Sequence, residues 1–158
     1  MRFLMAAVVF SFANRVRYGY MDTITFSPSE EDALRRLGVM AVILFGSQAR
    51  GIAGEVSDYD IGVLREVAGR DASQEKDLYD GLYDLLSAKI GKLVNIDIVF
   101  LDAAPLELAH HAAKYGSALY EGRPGAFARF KETVMDAYAD FAPHRRIFQE
   151  QMLRRIPS

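Results

Sequence analysis

The pattern of apolar and polar residues changes period along the chain, and each change marks an element. Residues 39–45 (VMAVILF) are continuously apolar over the length of one strand, which predicts a strand buried on both faces. Residues 58–64 alternate instead: Tyr59, Ile61 and Val63 fall on one face, Asp58, Asp60 and Gly62 on the other. Residues 93–101 (LVNIDIVFL) predict a third strand, with Ile96, Ile98 and Phe100 on one face and Asn95, Asp97 and Val99 on the other. Residues 118–121 predict a short fourth. Elsewhere the period is helical. Ser27-Pro28-Ser29-Glu30 predicts a helix start, with Ser27 as N-cap, Pro28 in the first turn and Glu30 closing a capping box, and the helix stops at Gly38. Asp71 or Ser73 caps a second helix, striped by Leu78, Leu82, Leu85 and Leu86 and ended near Ile90 by Gly91. A third runs from Pro105 to about Tyr115, before Gly116. A fourth starts at Pro124 and carries Phe127, Phe130, Val134 and Tyr138; Pro143 ends or kinks it, and a last helix reaches about Ile156.

Length and composition narrow the class. At 158 residues the chain is one domain in size. With 51% hydrophobic and 25% charged residues it is a globular sequence, neither disordered nor collagen-like. The absence of cysteine excludes a disulfide framework, thiolate metal sites and a cysteine nucleophile, and fits a reducing cytoplasm. The net charge of −2 is too close to neutral for bulk electrostatic attachment to nucleic acid, so no direct nucleic-acid binding is expected. That near-neutral total hides a split: residues 1–20 carry +3, residues 21–122 carry −8 from 9 basic and 17 acidic residues, and residues 123–158 carry +3. Carboxylates therefore concentrate in the middle. Asp71, Glu75, Asp77, Asp80 and Asp84 read as a solvated helix face.

Residues 3–13 (FLMAAVVFSFA) form an apolar run too short to span a membrane. A signal-peptide core, an upstream start with Met21 as the natural beginning, and an extra element covering the core all fit it. The second is preferred, because the chemistry below uses an intracellular nucleotide. Residues 1–20 are thus read as an N-terminal extension, 21–122 as the core, and 123–158 as C-terminal helices that belong to the same domain or bind a partner.

The segment ILFGSQARGIAGEVSDYDIGVL, residues 43–64, carries the chemistry. Gly46 after a buried strand lets the backbone approach a ligand, and amides opening the next turn can receive phosphate oxygens. Ser47 adds a hydroxyl, and Arg50, one turn on, can put a guanidinium on the same phosphates. Asp58 and Asp60 are two apart on a strand, so their side chains share a face, roughly 6.5 Å apart at Cα. Asp97 sits in mid-strand, where folding alone does not explain a carboxylate. If its strand neighbours that of Asp60, three carboxylates meet on one face and can hold two Mg²⁺ ions for an in-line displacement at phosphorus. An Asp-x-Asp at one prescribed distance from a Gly-Ser pair arises by chance in only about 1% of such chains.

These residues resemble the signature of the minimal nucleotidyltransferases of the DNA polymerase β-like superfamily: Gly-Ser, ten residues, Asp-x-Asp, and a third carboxylate on a later strand. Gly46, Ser47, Asp58, Asp60 and, by position, Asp97 match it. PLELAHHAAKYGSALYEG and FARFKETVMDAYADFAPHRRIFQEQML are similar to the C-terminal part of MntA-type antitoxins, which pair with HepT toxins. The resemblance covers about residues 21–158. It implies an α/β (α+β) nucleotidyltransferase fold, a small mixed sheet flanked by helices, that binds ATP with two Mg²⁺ ions and transfers AMP to a hydroxyl. Asp58 and Asp60 would bind both metals, Asp97 the catalytic one while helping to remove the hydroxyl proton, and Gly46, Ser47 and Arg50 would hold the nucleotide. The acceptor implied is a tyrosine of a HepT-type toxin, which places the protein in the cytoplasm as an antitoxin. Two other readings stay open: transfer to a small molecule such as an aminoglycoside, and a non-catalytic partner-binding module.

Weaker features receive plainer readings. His110 and His111 point about 100° apart on a helix, so they cannot share a metal and read as surface or interface residues. Arg145, Arg146, Arg154 and Arg155 read as a solvated or partner face. Tyr79, Tyr83, Tyr115, Tyr120 and Tyr138 read as core or half-buried packing, and Tyr59 points into the core. No P-loop motif is present.

Overall fold

A computed structural model of the chain describes residues 24–54, 57–66, 71–91 and 94–143. The expectations for residues 1–20, for the last helix to Ile156 and for its four arginines lie outside the described residues.

Among the described residues the elements follow in the order α1 (Pro28–Arg36), β1 (Val39–Phe45), α2 (Gly46–Ala49), β2 (Tyr59–Arg65), α3 (Ala72–Ile90), β3 (Ile96–Phe100), α4 (Leu106–Tyr115), β4 (Ser117–Glu121) and α5 (Ala126–Asp140). The strands form one mixed sheet in the order β3-β2-β1-β4. β1 lies antiparallel to β2 and to β4, while β2 and β3 run parallel. Parallel neighbours need a long crossover, and the 19-residue α3 supplies it. The capping boxes at Ser27–Glu30 and Asp71–Gln74 both form. Gly91 closes α3 in the left-handed conformation that glycine adopts at least cost.

β1 is central and buried on both faces, as its unbroken apolar run requires. Val42 and Leu44 join Tyr59, Ile61 and Val63 beneath Leu34 of α1 and Leu78, Leu82 and Leu86 of α3. Ile43 and Phe45 face the other way, against Ala112 of α4 and Ala126 and Phe127 of α5. The α5 amide at Phe127 donates to the Glu121 carboxylate at 2.9 Å, fixing the helix start to the end of β4. Ala109 and Ala113 meet Val134 where α4 and α5 pack together. Across the same pair of helices His110 stacks on Tyr138, with ring centroids 3.5 Å apart.

Two sequence readings are corrected. Tyr79, Tyr83 and Tyr115 are not packing residues: they are 37%, 40% and 41% exposed. Tyr79 and Tyr83 stand one turn apart on α3 and stack on each other, away from the leucine stripe. Glu75 is not simply a solvated carboxylate. It accepts a bond from Arg65 Nη1 at 2.7 Å, while Arg65 Nε donates to both carboxylate oxygens of Asp102 at 2.9 and 3.1 Å. The guanidinium also lies 4.2 Å over the Phe100 ring. Arg65 is thus a buried cation met by Glu75 of α3 and by Asp102 of the turn after β3, at the end of β2 remote from Asp60. Replacing it with methionine leaves Asp102 half-enclosed without its cation. The expected loss is about 2–3 kcal/mol, below the full cost of a broken buried pair because Glu75 is half exposed. Urea unfolding tests this: a change under about 0.5 kcal/mol would mean that the network contributes nothing net.

Candidate active site

The sheet register places the candidate residues. Phe45 pairs with Asp60 across β1–β2, and Asp60 pairs with Asp97 across β2–β3. Direct partners share a face, so Phe45, Asp60 and Asp97 form one row on the side covered by α4. β2 begins at Tyr59, one residue later than the alternation predicts, so Asp58 lies in the segment just before the strand and is exposed. Tyr59 is buried in the opposite core, as expected. The next position of β2 on the Asp60 face is Gly62, where a Cβ would overlap the Leu101 side chain. Leu101 therefore closes the floor behind the carboxylates with an apolar group.

Gly46 shows why glycine stands after β1. Its φ is +68°, and a Cβ there would overlap the Asp60 carboxylate. The backbone of the β1–α2 turn thus lies directly against Asp60. No side chain caps the start of α2, so its leading amides have no side-chain acceptor. Ser47 sits in this first turn. Its carbonyl accepts from the Ile52 amide at 3.2 Å, which folds the following loop back over the helix. Arg50 caps the other end of α2 and is exposed. It pairs with no acid among the described residues; its guanidinium lies over the Tyr115 ring, 5.3 Å from the centroid.

The electrostatics of the row are unbalanced. Asp60 holds its proton above the usual carboxylate range, first because burial disfavours its charge, then because Asp97 and Asp58 repel it. His111 alone acts in the other direction. Among the described residues Asp58, Asp60 and Asp97 have no ion pair. Nor do three His, Asp or Glu side chains among the described residues already converge on a point as a closed metal cage would. Asp60 and Asp97 share a face without being gathered with Asp58 into one cage. That suits Mg²⁺, which takes hard oxygen donors, is bound through one or two carboxylates, and completes its shell with water and substrate phosphates. The donor set and its uncompensated charge therefore fit a divalent cation.

Four residues near this site were missed in the sequence. Asn95 donates to Asp97 Oδ1 at 3.1 Å and orients it; its place two residues before Asp97 on the same strand face was the available signal. Gln48 donates to the Ser57 carbonyl at 3.1 Å, pinning the chain just before Asp58; nothing in the sequence marks it. His111 is half-buried edge-on to Phe45, inside the site rather than on the surface, and Tyr115 lies one turn further along α4. Their helical spacing is visible in sequence, but which strand α4 covers is not. Asp102, the next carboxylate along the chain after Asp97, is engaged by Arg65 at the far end of β2.

The family described as polymerase beta, nucleotidyltransferase matches residues 31–124, more than half of the chain. No curated protein matches it. Among solved structures, a chain from a toxin–antitoxin crystal structure with AMP-PNP superposes with a TM-score of 0.60 at 21% identity, covering 80% of this chain and 99% of its own length. A chain from the toxin–antitoxin MntA–HepT crystal structure gives 0.53 at 19% identity, over 80% and 99%. A chain from the complex of a tri-AMPylated Shewanella oneidensis HEPN toxin with MNT antitoxin gives 0.54 at 19%, over 79% and 97%. At such identities the likeness is one of fold. No helix among the described residues is long and apolar enough to cross a membrane.

Proposed function

This chain belongs to the polymerase beta nucleotidyltransferase family, and from that premise we propose that it transfers AMP from ATP to a hydroxyl of a partner protein, a tyrosine of a HEPN-class toxin of the HepT type, and so acts as a cytoplasmic antitoxin. The observation that carries the reading is the pairing of Asp60 with Asp97 beside the Gly46 turn. The Asp97 carboxylate raises the cost of ionising Asp60, and a binding module that only contacts a partner has no use for that cost. The resemblance of residues 105–122 and 127–153 to MntA-type antitoxins and the fold shared with chains from toxin–antitoxin complexes support the choice of acceptor.

Each residue then has a task. Asp58, Asp60 and Asp97 would hold two Mg²⁺ ions, which supply positive charge to the phosphates and to the attacking oxygen. The first amides of α2 and the Ser47 hydroxyl receive oxygens of the triphosphate, and Gly46 leaves room for them. Arg50 meets the same tail. The acceptor oxygen forms its bond to the α-phosphorus as the bond from phosphorus to the bridging α–β oxygen breaks, and pyrophosphate departs. The hydroxyl proton passes to Asp97, oriented by Asn95. Leu101 and Phe45 keep the floor of the row apolar, which strengthens each charge interaction above it.

Mass spectrometry of the protein encoded by the neighbouring gene, co-expressed with the chain, tests the proposal. A partner heavier by one or more AMP units is the expected result. An unmodified, tightly bound partner would instead make the chain a binding module. An unmodified partner that does not bind would turn the search to a small-molecule acceptor.

A further inference from the structure

We infer that Tyr115 is a positioning residue for Arg50, and that its ring gathers Arg50 and Lys114 into one cationic clamp for the polyphosphate tail of the nucleotide; this rests on the nucleotidyltransferase reading. The Arg50 guanidinium lies 5.3 Å from the Tyr115 ring centroid and the Lys114 ammonium 5.1 Å from it. Neither cation takes part in an ion pair among the described residues. Two like charges brought to one exposed ring repel each other, and cation–π attraction at an exposed site is weak. The ring biases where the two side chains stand, but it does not neutralise them. An anion is the missing member of the arrangement.

The position of the ring says which anion. Tyr115 tilts against His111 with centroids 5.1 Å apart, and His111 stands edge-on to Phe45. Phe45 is the strand partner of Asp60. The ring is therefore tied through two contacts to Phe45, the residue of the carboxylate row that pairs with Asp60. Arg50 is also the C-cap of α2, whose first turn carries Ser47. Carboxylates and cations linked through this chain of contacts suit a metal-bound polyphosphate, which presents its cation to the first and its remaining negative charge to the second.

Calorimetric titration of the full chain with magnesium tripolyphosphate, which has no base and no sugar, tests the clamp. Tyr115→Leu is expected to weaken binding by about fivefold or more, and Arg50→Gln by a similar factor. Tyr115→Leu should cost less in the Arg50→Gln background than in the wild type, because only the part of the ring's effect that runs through Lys114 is then left to lose. Tyr115→Phe keeps the ring and should stay within about twofold of wild type. In transfer assays Tyr115→Leu should raise KM for the nucleotide while kcat changes by less than about threefold. Thermal melts confirm that each variant is folded. Unchanged tripolyphosphate binding in Tyr115→Leu, losses that add in the double variant, or equal losses in the Phe and Leu variants would each overturn the inference. So would an ATP-specific loss in Tyr115→Leu, which would make the ring a platform for the base. Wild-type chain that takes up no magnesium tripolyphosphate would overturn the nucleotide reading itself, and this inference with it.

Discussion

Replacing Asp60 with asparagine is expected to do two opposite things: to abolish nucleotide transfer and to make the fold more stable. The transfer loss, at least about a thousandfold, follows from removing the charge at the centre of the carboxylate row, the place where charge compensation is needed in the transition state. The gain in stability follows from the sign of the Asp60 shift. Burial, then Asp97 and Asp58, raise its folded pKa above the ordinary value near 3.8. A carboxyl with a raised folded pKa binds its proton more tightly in the folded chain than in the unfolded one. Stability is therefore lost as pH rises from the ordinary value through the raised one, and it stays lost at neutral pH. Asparagine keeps the shape and cannot ionise, so the variant escapes that loss. The gain at pH 7 should be below about 1 kcal/mol, because solvent screens a half-buried carboxylate. Melting curves of both proteins between pH 3 and pH 7 provide the check. The stability difference should grow in favour of Asp60→Asn as pH rises. A variant less stable than wild type at pH 7 would mean that Asp60 holds the fold together, and the site would have to be sought elsewhere.

This trade of stability for function is also where sequence and structure part company. Local chemistry was readable: Ser27 and Glu30 cap α1, Asp71, one of the two caps the sequence offered with Ser73, caps α3, Gly91 ends it, and the run 39–45 is the central strand. The period of two correctly separated Tyr59, Ile61 and Val63 from Asp60, because a strand with one packed face has no other way to place them. What one sequence does not contain is the pairing between strands distant along the chain. That Asp97 stands opposite Asp60 depends on β3 joining the free edge of β2 in parallel register, which the crossover α3 sets. The same limit hid the Arg65 network, since its partners Glu75 and Asp102 come from different elements. The tyrosines were misread for another reason. Tyr79 and Tyr83 lie one residue beyond Leu78 and Leu82, a rotation of about 100° that takes them off the apolar stripe and into solvent.

Asp97 should separate binding from chemistry. It is exposed on an edge strand, and its recorded partner is the Asn95 amide, which donates to one of its oxygens. The strand does not depend on its charge, and Asp97→Asn preserves its shape. Asp58 and Asp60 would still retain the cation that arrives with the triphosphate, because that ion keeps phosphate and water ligands of its own. The Gly46–Ser47 turn and Arg50 do not touch the substituted group. Affinity for magnesium ATP is therefore expected to stay within about tenfold of wild type, roughly 1.4 kcal/mol. Transfer should fall by at least about a hundredfold, since the variant lacks both a ligand for the second metal and the base nearest the attacking hydroxyl. Removing that negative neighbour also lowers the repulsion on Asp60, so the Asp60 pKa should move back toward its ordinary value. Carbon-13 NMR titration of the carboxyls would report that movement in the free protein. Calorimetry with ATP and the mass shift of the partner would report binding and transfer. Near-normal transfer in Asp97→Asn would make Asp97 a spectator, and with Asp102 held by Arg65 the described carboxylates offer no substitute on that face.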